Sequence, residues 1–313
     1  MVGQTDLLEY VRTADRAKLD LAEQIKQVDP RKAGAVGYAT RLSAQLSLPY
    51  RNPGDVPVWT RRNGNLSLTV TPANIYNDAG LVEKRLYPYG AYPRLLMVWM
   101  ASKVHATEQR TLSLGSSMAE LMRDLEIPRG GKTRTELREQ IKRLTGATIE
   151  VHRRTKNDHI HGERLDTFKV ASSLELWWSA RDPDDDQLLS STITLSEEFY
   201  NSILSNPLPV DMRALAYLRR QGTSGLPIDI YVWLAYRMHS LNRTGKDQHV
   251  SWKALQQQFG NQYRRERDFR PRFLGALPKV LAAYPWAREG VKVTDNGLLL
   301  SPTRTPVLAK GRI

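Results

Sequence analysis

Pro93-Arg94-Leu95-Leu96-Met97-Val98-Trp99-Met100-Ala101-Ser102-Lys103 returns 134 positions later as Pro227-Ile228-Asp229-Ile230-Tyr231-Val232-Trp233-Leu234-Ala235-Tyr236-Arg237. The same offset carries Ser117 to Ser251, Met118 to Trp252, Leu121 to Leu255 and Leu125 to Phe259. At an offset of 136, Leu137, Ile141 and Leu144 fall on Phe273, Leu277 and Val280. Three apolar patterns of helical period recur in one order. The chain therefore holds two copies of one unit, each with its own apolar partners.

Each copy reads as helix, helix, short turn, helix, then strands. In the first copy Ser117 caps a helix, and Glu120 three residues on completes a capping box. Met118, Leu121, Met122 and Leu125 form the buried stripe, and Pro128-Arg129-Gly130-Gly131 breaks it. The next helix starts near Lys132 or Thr133 and ends near Gly146, read as a left-handed C-terminal position. Thr148 to Val151 alternates as a strand. In the second copy the turn is Gly260 to Arg267 and the last helix runs from Asp268 to Tyr284. Pro271 suits its first turn, whereas Pro278 is expected to bend or break it. Val291-Lys292-Val293 and Gly297-Leu298-Leu299-Leu300 follow as a hairpin. Helix, tight turn, helix and hairpin outline a winged helix-turn-helix, here in tandem.

The last helix of each copy offers a polar face opposite its core stripe. In the first copy that face carries Thr135, Arg138, Glu139 and Lys142, with Arg129, Lys132, Thr133 and Arg134 at the helix start. In the second it carries Arg272, Gly275 and Lys279, with Arg270 assigned to the same reader and Arg264, Arg265 and Arg267 before them. Arg suits guanine edges; Lys and Thr suit phosphates. A solvated helix face would look similar, but the flanks add charge. From Arg129 to Lys156 nine Lys or Arg stand against three Glu, a net of +6, and from Asn261 to Arg272 five Arg stand against two acids, a net of +3. These stretches hold most of the formal +13.

At 313 residues and 41% hydrophobic, the chain has room for two packed domains and an extension. A pI near 9.9 asks for an anionic partner, and duplex DNA is the reading preferred to a membrane surface. No apolar run approaches the ~18 residues that span a bilayer. The start, Met1 to Asp6, lacks the basic and apolar regions of a signal peptide, so a cytoplasmic location is expected. With no cysteine, disulfides, thiolate nucleophiles and cysteine-based zinc sites are excluded.

Residues 1–28 read as a helical arm through Leu7, Val11, Ala14, Leu21, Ile25 and Val28. It either docks on the body or pairs with a second copy or another partner. A loop-like stretch follows to Gly54. Val56 to Thr60 and Leu66 to Val70 are strands joined at Asn63-Gly64, with Arg61 and Arg62 at the tip. His152 to Gly162 reads as a basic wing loop in which Arg153, Arg154 and Lys156 would hold the phosphate backbone. Strands at Thr167 to Trp178 and Leu188 to Leu195 flank the acidic turn Asp182-Pro183-Asp184-Asp185-Asp186. Helices at Ser196 to Ser205 and Asp211 to Arg220 connect to the linker Gln221 to Gly225.

Three catalytic look-alikes are weak. Gly130-Gly131-Lys132-Thr133 resembles the end of a P-loop, but position 126 is Glu where the motif needs glycine, and a helix precedes it instead of a strand. His159-Ile160-His161 resembles the metal-binding pair of rolling-circle nicking enzymes, but it lies in a polar loop with no tyrosine placed beside it. No Gly-x-Ser-x-Gly elbow exists. The expectation is a protein with no catalytic residues, metal or cofactor.

Tyr87-Pro88-Tyr89-Gly90 before Pro93-Arg94-Leu95-Leu96, then Leu114-Gly115-Ser116-Ser117, Arg138 to Leu144, Leu195 to Tyr200, Leu226 to Arg237, Ser251-Trp252 and Gln258-Phe259-Gly260 stand in an order and spacing that resembles the RepA-type plasmid replication initiators of bacteria. The resemblance covers residues 58–305. It implies binding of repeated origin sites, called iterons, local duplex opening, recruitment of the host replicative helicase or its loader, and autoregulation by dimers.

The expected fold is α+β: an N-terminal helical arm (1–45), a first winged-helix domain with extended hairpins (46–195) and a second (196–313). Two readers on successive major grooves would cover ~20 bp as a monomer. A homodimer would form through the arm or the first domain. The alternative is a winged-helix transcriptional repressor that binds an inverted repeat as a dimer.

Overall fold

Ser117 and Ser251 start the same helix in the two copies. Each sits in extended backbone, and each hydroxyl accepts an amide three residues on, from Glu120 at 3.1 Å and from Ala254 at 3.2 Å. This satisfies one of the free N–H groups of a helix start. Glu120 reaches past Ser117 and accepts from the amide and hydroxyl of Ser116, at 2.8 and 2.7 Å. The expected capping box therefore closes one residue early.

The structure is a computed structural model that describes residues 21–45, 47–77, 79–156, 161–177, 190–260 and 262–308. Residues 21–27 form helix α1. Then come β1 (Val36–Thr40), α2 (Arg41–Gln45), β2 (Trp59–Asn63), β3 (Leu66–Thr71), β4 (Ala73–Tyr76) and β5 (Val82–Leu86). The first copy holds α3 (Ala91–Thr107), β6 (Thr111–Ser113), α4 (Met118–Asp124), α5 (Gly131–Gly146), β7 (Thr148–Lys156), β8 (His161–Lys169), β9 (Ala171–Glu175) and β10 (Thr192–Leu195). α6 (Glu197–Ser205), β11 (Pro207–Asp211) and α7 (Met212–Arg220) connect the copies. The second copy holds α8 (Leu226–Thr244), β12 (Gln248–Ser251), α9 (Trp252–Phe259), α10 (Glu266–Ala283), α11 (Ala287–Gly290), β13 (Val291–Thr294) and β14 (Gly297–Leu300).

The two copies share a sheet topology as well as a helix order. β6, β10 and β9 form one three-stranded antiparallel sheet; β12, β14 and β13 form the other in the same order. The short strand ahead of the second helix thus pairs with the last strand of its copy. The cores differ in side chains. The first is aliphatic, with Leu96, Met100, Leu121, Met122, Leu137 and Ile141 buried. The second is aromatic: Phe273 lies 5.9 Å from Trp252, 5.7 Å from Phe259 and 5.6 Å from Phe269, ring to ring. Swapping Leu for Phe at matched positions keeps the frame while changing its filling.

Several expectations need correction. β7 and β8 pair along their length and extend β2–β3 into a four-stranded sheet, so His152 to Lys156 is strand and not wing loop. By sheet order, the first-copy equivalent of β13–β14 is β9–β10. The strand expected over Thr167 to Trp178 is split between β8 and β9, and that over Leu188 to Leu195 is β10, from Thr192. The acidic turn lies outside the described residues. The stretch read as a loop up to Gly54 contains β1 and α2; β1 pairs with β11, far off in sequence. Gly146 does not adopt a left-handed conformation. Instead a Cβ there would stand 2.8 Å from the Ala73 Cβ, so glycine serves close approach of α5 to β4. α10 starts at Glu266 and runs through both Pro271 and Pro278, which lie on its exposed side. Arg61 is buried, not at a solvated tip, and lies over the rings of Tyr50 and Trp59 at 4.7 and 4.9 Å.

The described end of the arm is docked. Ile25 is fully buried, and Arg213 donates to the carbonyls of Gln24 and Val28 at 3.2 and 2.8 Å. Residues 1–20, with Leu7, Val11 and Ala14, lie outside the described residues. Among the described residues no helix is long and apolar enough to cross a membrane.

Candidate nucleic-acid interface

α5 buries Leu137, Ile141 and Leu144, as the periodicity requires. Gln140 joins the buried side, its Oε1 accepting the Tyr89 amide at 3.0 Å. The opposite side carries Lys132, Thr135, Glu139 and Lys142. Thr135 donates its hydroxyl back to the Gly131 carbonyl at 3.2 Å. Glu139 stands between two cations, 3.7 Å from Lys142 Nζ and 3.9 Å from Arg143 Nη2. Arg143 itself lies over the Tyr89 ring at 5.3 Å and is drawn away from solvent. Arg134 and Arg138 are half-buried on one flank, and Thr133 is half-buried on the other.

The start of α5 has no side-chain cap at Gly130, and Arg129 and Lys132 beside it are exposed. Free amides, the positive end of a helix and two cations favour an anionic oxygen there. The segment before Gly130 is helix α4 and a turn, not a strand, so the strand-loop-helix geometry of a P-loop is missing.

α10 presents a different face. Arg264 and Arg267 are exposed. Arg265 pairs with Asp268 at 2.8 Å, and this hydrogen bond holds the Asp268 carboxyl below its ordinary pKa. Arg270 lies over the Trp252 ring at 4.8 Å and donates to the Asp295 carbonyl at 3.4 Å, in the β13–β14 turn. Arg272 and Lys279 lie on the opposite flank and line a cleft of about 470 Å³ with Tyr50, Arg51 and Thr223. The outermost line between the flanks is Arg267, Pro271, Gly275 and Pro278, a smooth ridge with one charge.

On the four-stranded sheet Arg153 and Arg154 are exposed. Arg154 faces Glu163 across the β7–β8 ladder, Nε to Oε1 3.2 Å, so its charge is partly answered within the chain. Lys156 ends β7 opposite His161. His159 lies outside the described residues, and among those described no group of three His, Asp or Glu is placed to hold a metal.

The sequence reading missed the residues between the copies. Tyr50, Arg51 and Arg219 line a second cleft of about 400 Å³ with Tyr89, Tyr92 and Glu136. Tyr50 sits on a stretch without periodicity, so no local signal marks it. Arg94 and Asp229 did carry a signal: each is a lone charge in an apolar helical run.

The frame is a mixed α/β one with a counterpart among solved structures. The solved structure of domains 2 and 3 of RctB, in selenomethionine form, aligns at a TM-score of 0.50 and 10% identity, covering 86% of this chain and 97% of that one. A second structure of the same RctB domains aligns at 0.44 and 12% identity over 82% and 84%. No curated protein matches the chain. The family model described as Plasmid encoded RepA protein matches residues 87–254, more than half of the chain. The chain belongs to this family, that of the plasmid replication initiators it resembles in sequence.

Proposed function

We propose that the chain initiates plasmid replication by binding repeated origin sites through two winged helix-turn-helix domains, residues 46–195 and 196–313, behind the helical arm of 1–45. One observation supports this above the rest: the same helical frame occurs twice, and each time arginines and lysines stand at the start and along the flanks of its last helix. α5 and α10 are the readers. Arg138 and Lys142 act in the first; Arg270, Arg272 and Lys279 act in the second. Arg129, Lys132, Arg264 and Arg267 take phosphates at the helix starts. The wings are β9–β10 and β13–β14, while β7–β8 is an extra ribbon whose Arg153, Arg154 and Lys156 follow the backbone. Thr133, Arg134, Thr135 and Glu139 complete the first footprint, and Arg265 the second. Binding opens the adjoining duplex and brings in the host helicase or its loader, with no catalysis by this chain itself, in the bacterial cytoplasm.

The test is a titration against DNA from upstream of the protein's own gene, at two salt concentrations, with random duplex as control. Evenly spaced complexes on direct repeats, with a specificity ratio of ~10³ or more, are expected. Binding to a single inverted repeat would instead favour a dimeric repressor. Equal affinity for random duplex would overturn sequence reading by either helix.

A further inference from the structure

Arg94 of α3 and Asp229 of α8 meet in a buried bidentate pair, Nε to Oδ1 2.7 Å and Nη2 to Oδ2 2.8 Å. Repeat symmetry makes this pair unexpected. The position matching Arg94 is Ile228, and the position matching Asp229 is Leu95. An apolar core position in each copy has thus become a charge in the other, and the two charges satisfy each other across the junction.

Arg94 gathers three segments. Its remaining donors go to the carbonyls of Leu48 at 2.6 Å, Gly90 at 2.6 Å and Pro49 at 3.3 Å. The guanidinium lies 4.8 Å from the Tyr50 ring, and Arg61 lies 4.7 Å from the same ring. Arg61 in turn donates to the Gln258 carbonyl on α9 at 3.3 Å. A Cβ on Gly225 would stand 2.5 Å from Arg94 Nε, so the chain entering α8 passes against the guanidinium at a distance only glycine permits. The linker is fastened beside it, the Ala91 amide donating to the Thr223 carbonyl at 3.2 Å.

A buried ion pair adds little net stability compared with apolar side chains of equal size, but it tolerates little misplacement. Two parallel hydrogen bonds fix direction as well as distance. α3 packs on α5, and α8 packs on α10. A pair that fixes α3 against α8 therefore fixes the two last helices against each other. We propose that Arg94 and Asp229 are the positioning residues that hold α5 and α10 at one mutual angle and so set the single half-site spacing the chain accepts on duplex DNA. The spacing part rests on the function proposed above.

The chain has no cysteine, so spin labels at Thr107→Cys and Lys253→Cys, one on each copy and both exposed, report the angle directly. Pulsed distance measurements should give one narrow distribution in the otherwise native chain and a broad one with Asp229→Asn. If Asp229→Asn does not fold, the double variant Arg94→Met with Asp229→Leu replaces the pair by apolar groups and takes its place. The second measurement uses a duplex that the native chain selects from a random pool, with one or two base pairs inserted at its centre. The native chain should lose about 5- to 150-fold in affinity, the range of coupling between linked sites, and the variant should lose most of that discrimination. A distribution that stays narrow, with the insertion penalty intact, overturns the proposal. A native chain that selects no two-part site overturns the two-reader function instead, and the label distances still decide whether the pair fixes the copies.

Discussion

The Arg270 guanidinium lies 4.8 Å over the Trp252 ring. Its helix α10 is thereby braced against the start of α9, and its Nη1 reaches the Asp295 carbonyl in the hairpin turn at 3.4 Å. Arg272, two residues on, has a different setting on the cleft flank. The two arginines should separate by experiment. Arg270→Ala removes a cation–π contact and should cost ~0.5–1 kcal/mol in urea unfolding as well as duplex affinity. Arg272→Ala should leave stability within ~0.5 kcal/mol and lower affinity alone. Equal stability losses in both would mean that Arg270 is no brace.

The phosphate contacts proposed here can be counted by salt. Each of Arg129, Lys132, Arg264 and Arg267, changed singly to Ala, should flatten the plot of log affinity against log salt by about 0.9. Arg154 should give less, because Glu163 already answers it at 3.2 Å. Glu163→Gln should then strengthen binding to any duplex. Unchanged slopes in the helix-start variants would remove those residues from the footprint.

Much of this frame is legible because its cause is local. Leu137, Ile141 and Leu144 repeat at helical spacing, and so do Phe273, Leu277 and Val280, whatever surrounds them. Ser117, Ser251, Ser196 and Asp211 cap helices by bonds to residues two or three away. What was not legible has distant causes. β1 exists as a strand through its partner β11. β7 continues past Val151 into His152-Arg153-Arg154 because β3 and β8 supply ladder partners on both sides, which local propensity does not report. Arg61 is buried because the rings of Tyr50 and Trp59 receive it. Of the candidate site, the concentration of Arg and Lys around the last helices is legible in the sequence; the split of Arg270 and Arg272 to opposite flanks of α10, the answering of Arg154 and the junction of Arg94 with Asp229 depend on which chain segments meet.

α3 and α8 end alike, both in a left-handed residue whose amide returns to the helix, but one ends in Glu108 at φ 57 and the other in Gly245 at φ 66. A side chain with a Cβ is strained there by ~1–2 kcal/mol. Glu108→Gly should therefore stabilise the chain, by about 1 kcal/mol in urea unfolding after the unfolded-state entropy of glycine is subtracted. The Tyr200 hydroxyl donates to the Glu108 carbonyl at 2.7 Å, a bond that the substitution leaves in place. Gly146→Ala should go the other way despite the helix preference of Ala, because its Cβ meets Ala73 at 2.8 Å. A destabilised Glu108→Gly chain would show that the left-handed residue carries no strain.

Buried phenols set the alkaline limit. Burial raises the pKa of Tyr50, Tyr231 and Tyr284 above the ordinary tyrosine value, and Asp229 and Asp211 add to it for the first two. The unfolded chain releases these protons near pH ~10, while the folded chain keeps them. Below pH ~10 the unfolded and folded chains bind the same protons, and this contribution to stability is complete. Above it the unfolded state gains by ionising, so stability falls as pH rises toward the folded-state values, by up to ~1.4 kcal/mol per pH unit for each phenol. Urea unfolding at pH 8 to 11 should show a level region and then a fall of ~4 kcal/mol per unit if all three act together. Tyr231→Phe should lower stability at pH 8, since the hydroxyl accepts the Asp211 amide at 2.8 Å, yet shrink the alkaline fall by about one third. A fall of unchanged steepness in that variant would take Tyr231 out of the buried, proton-holding set.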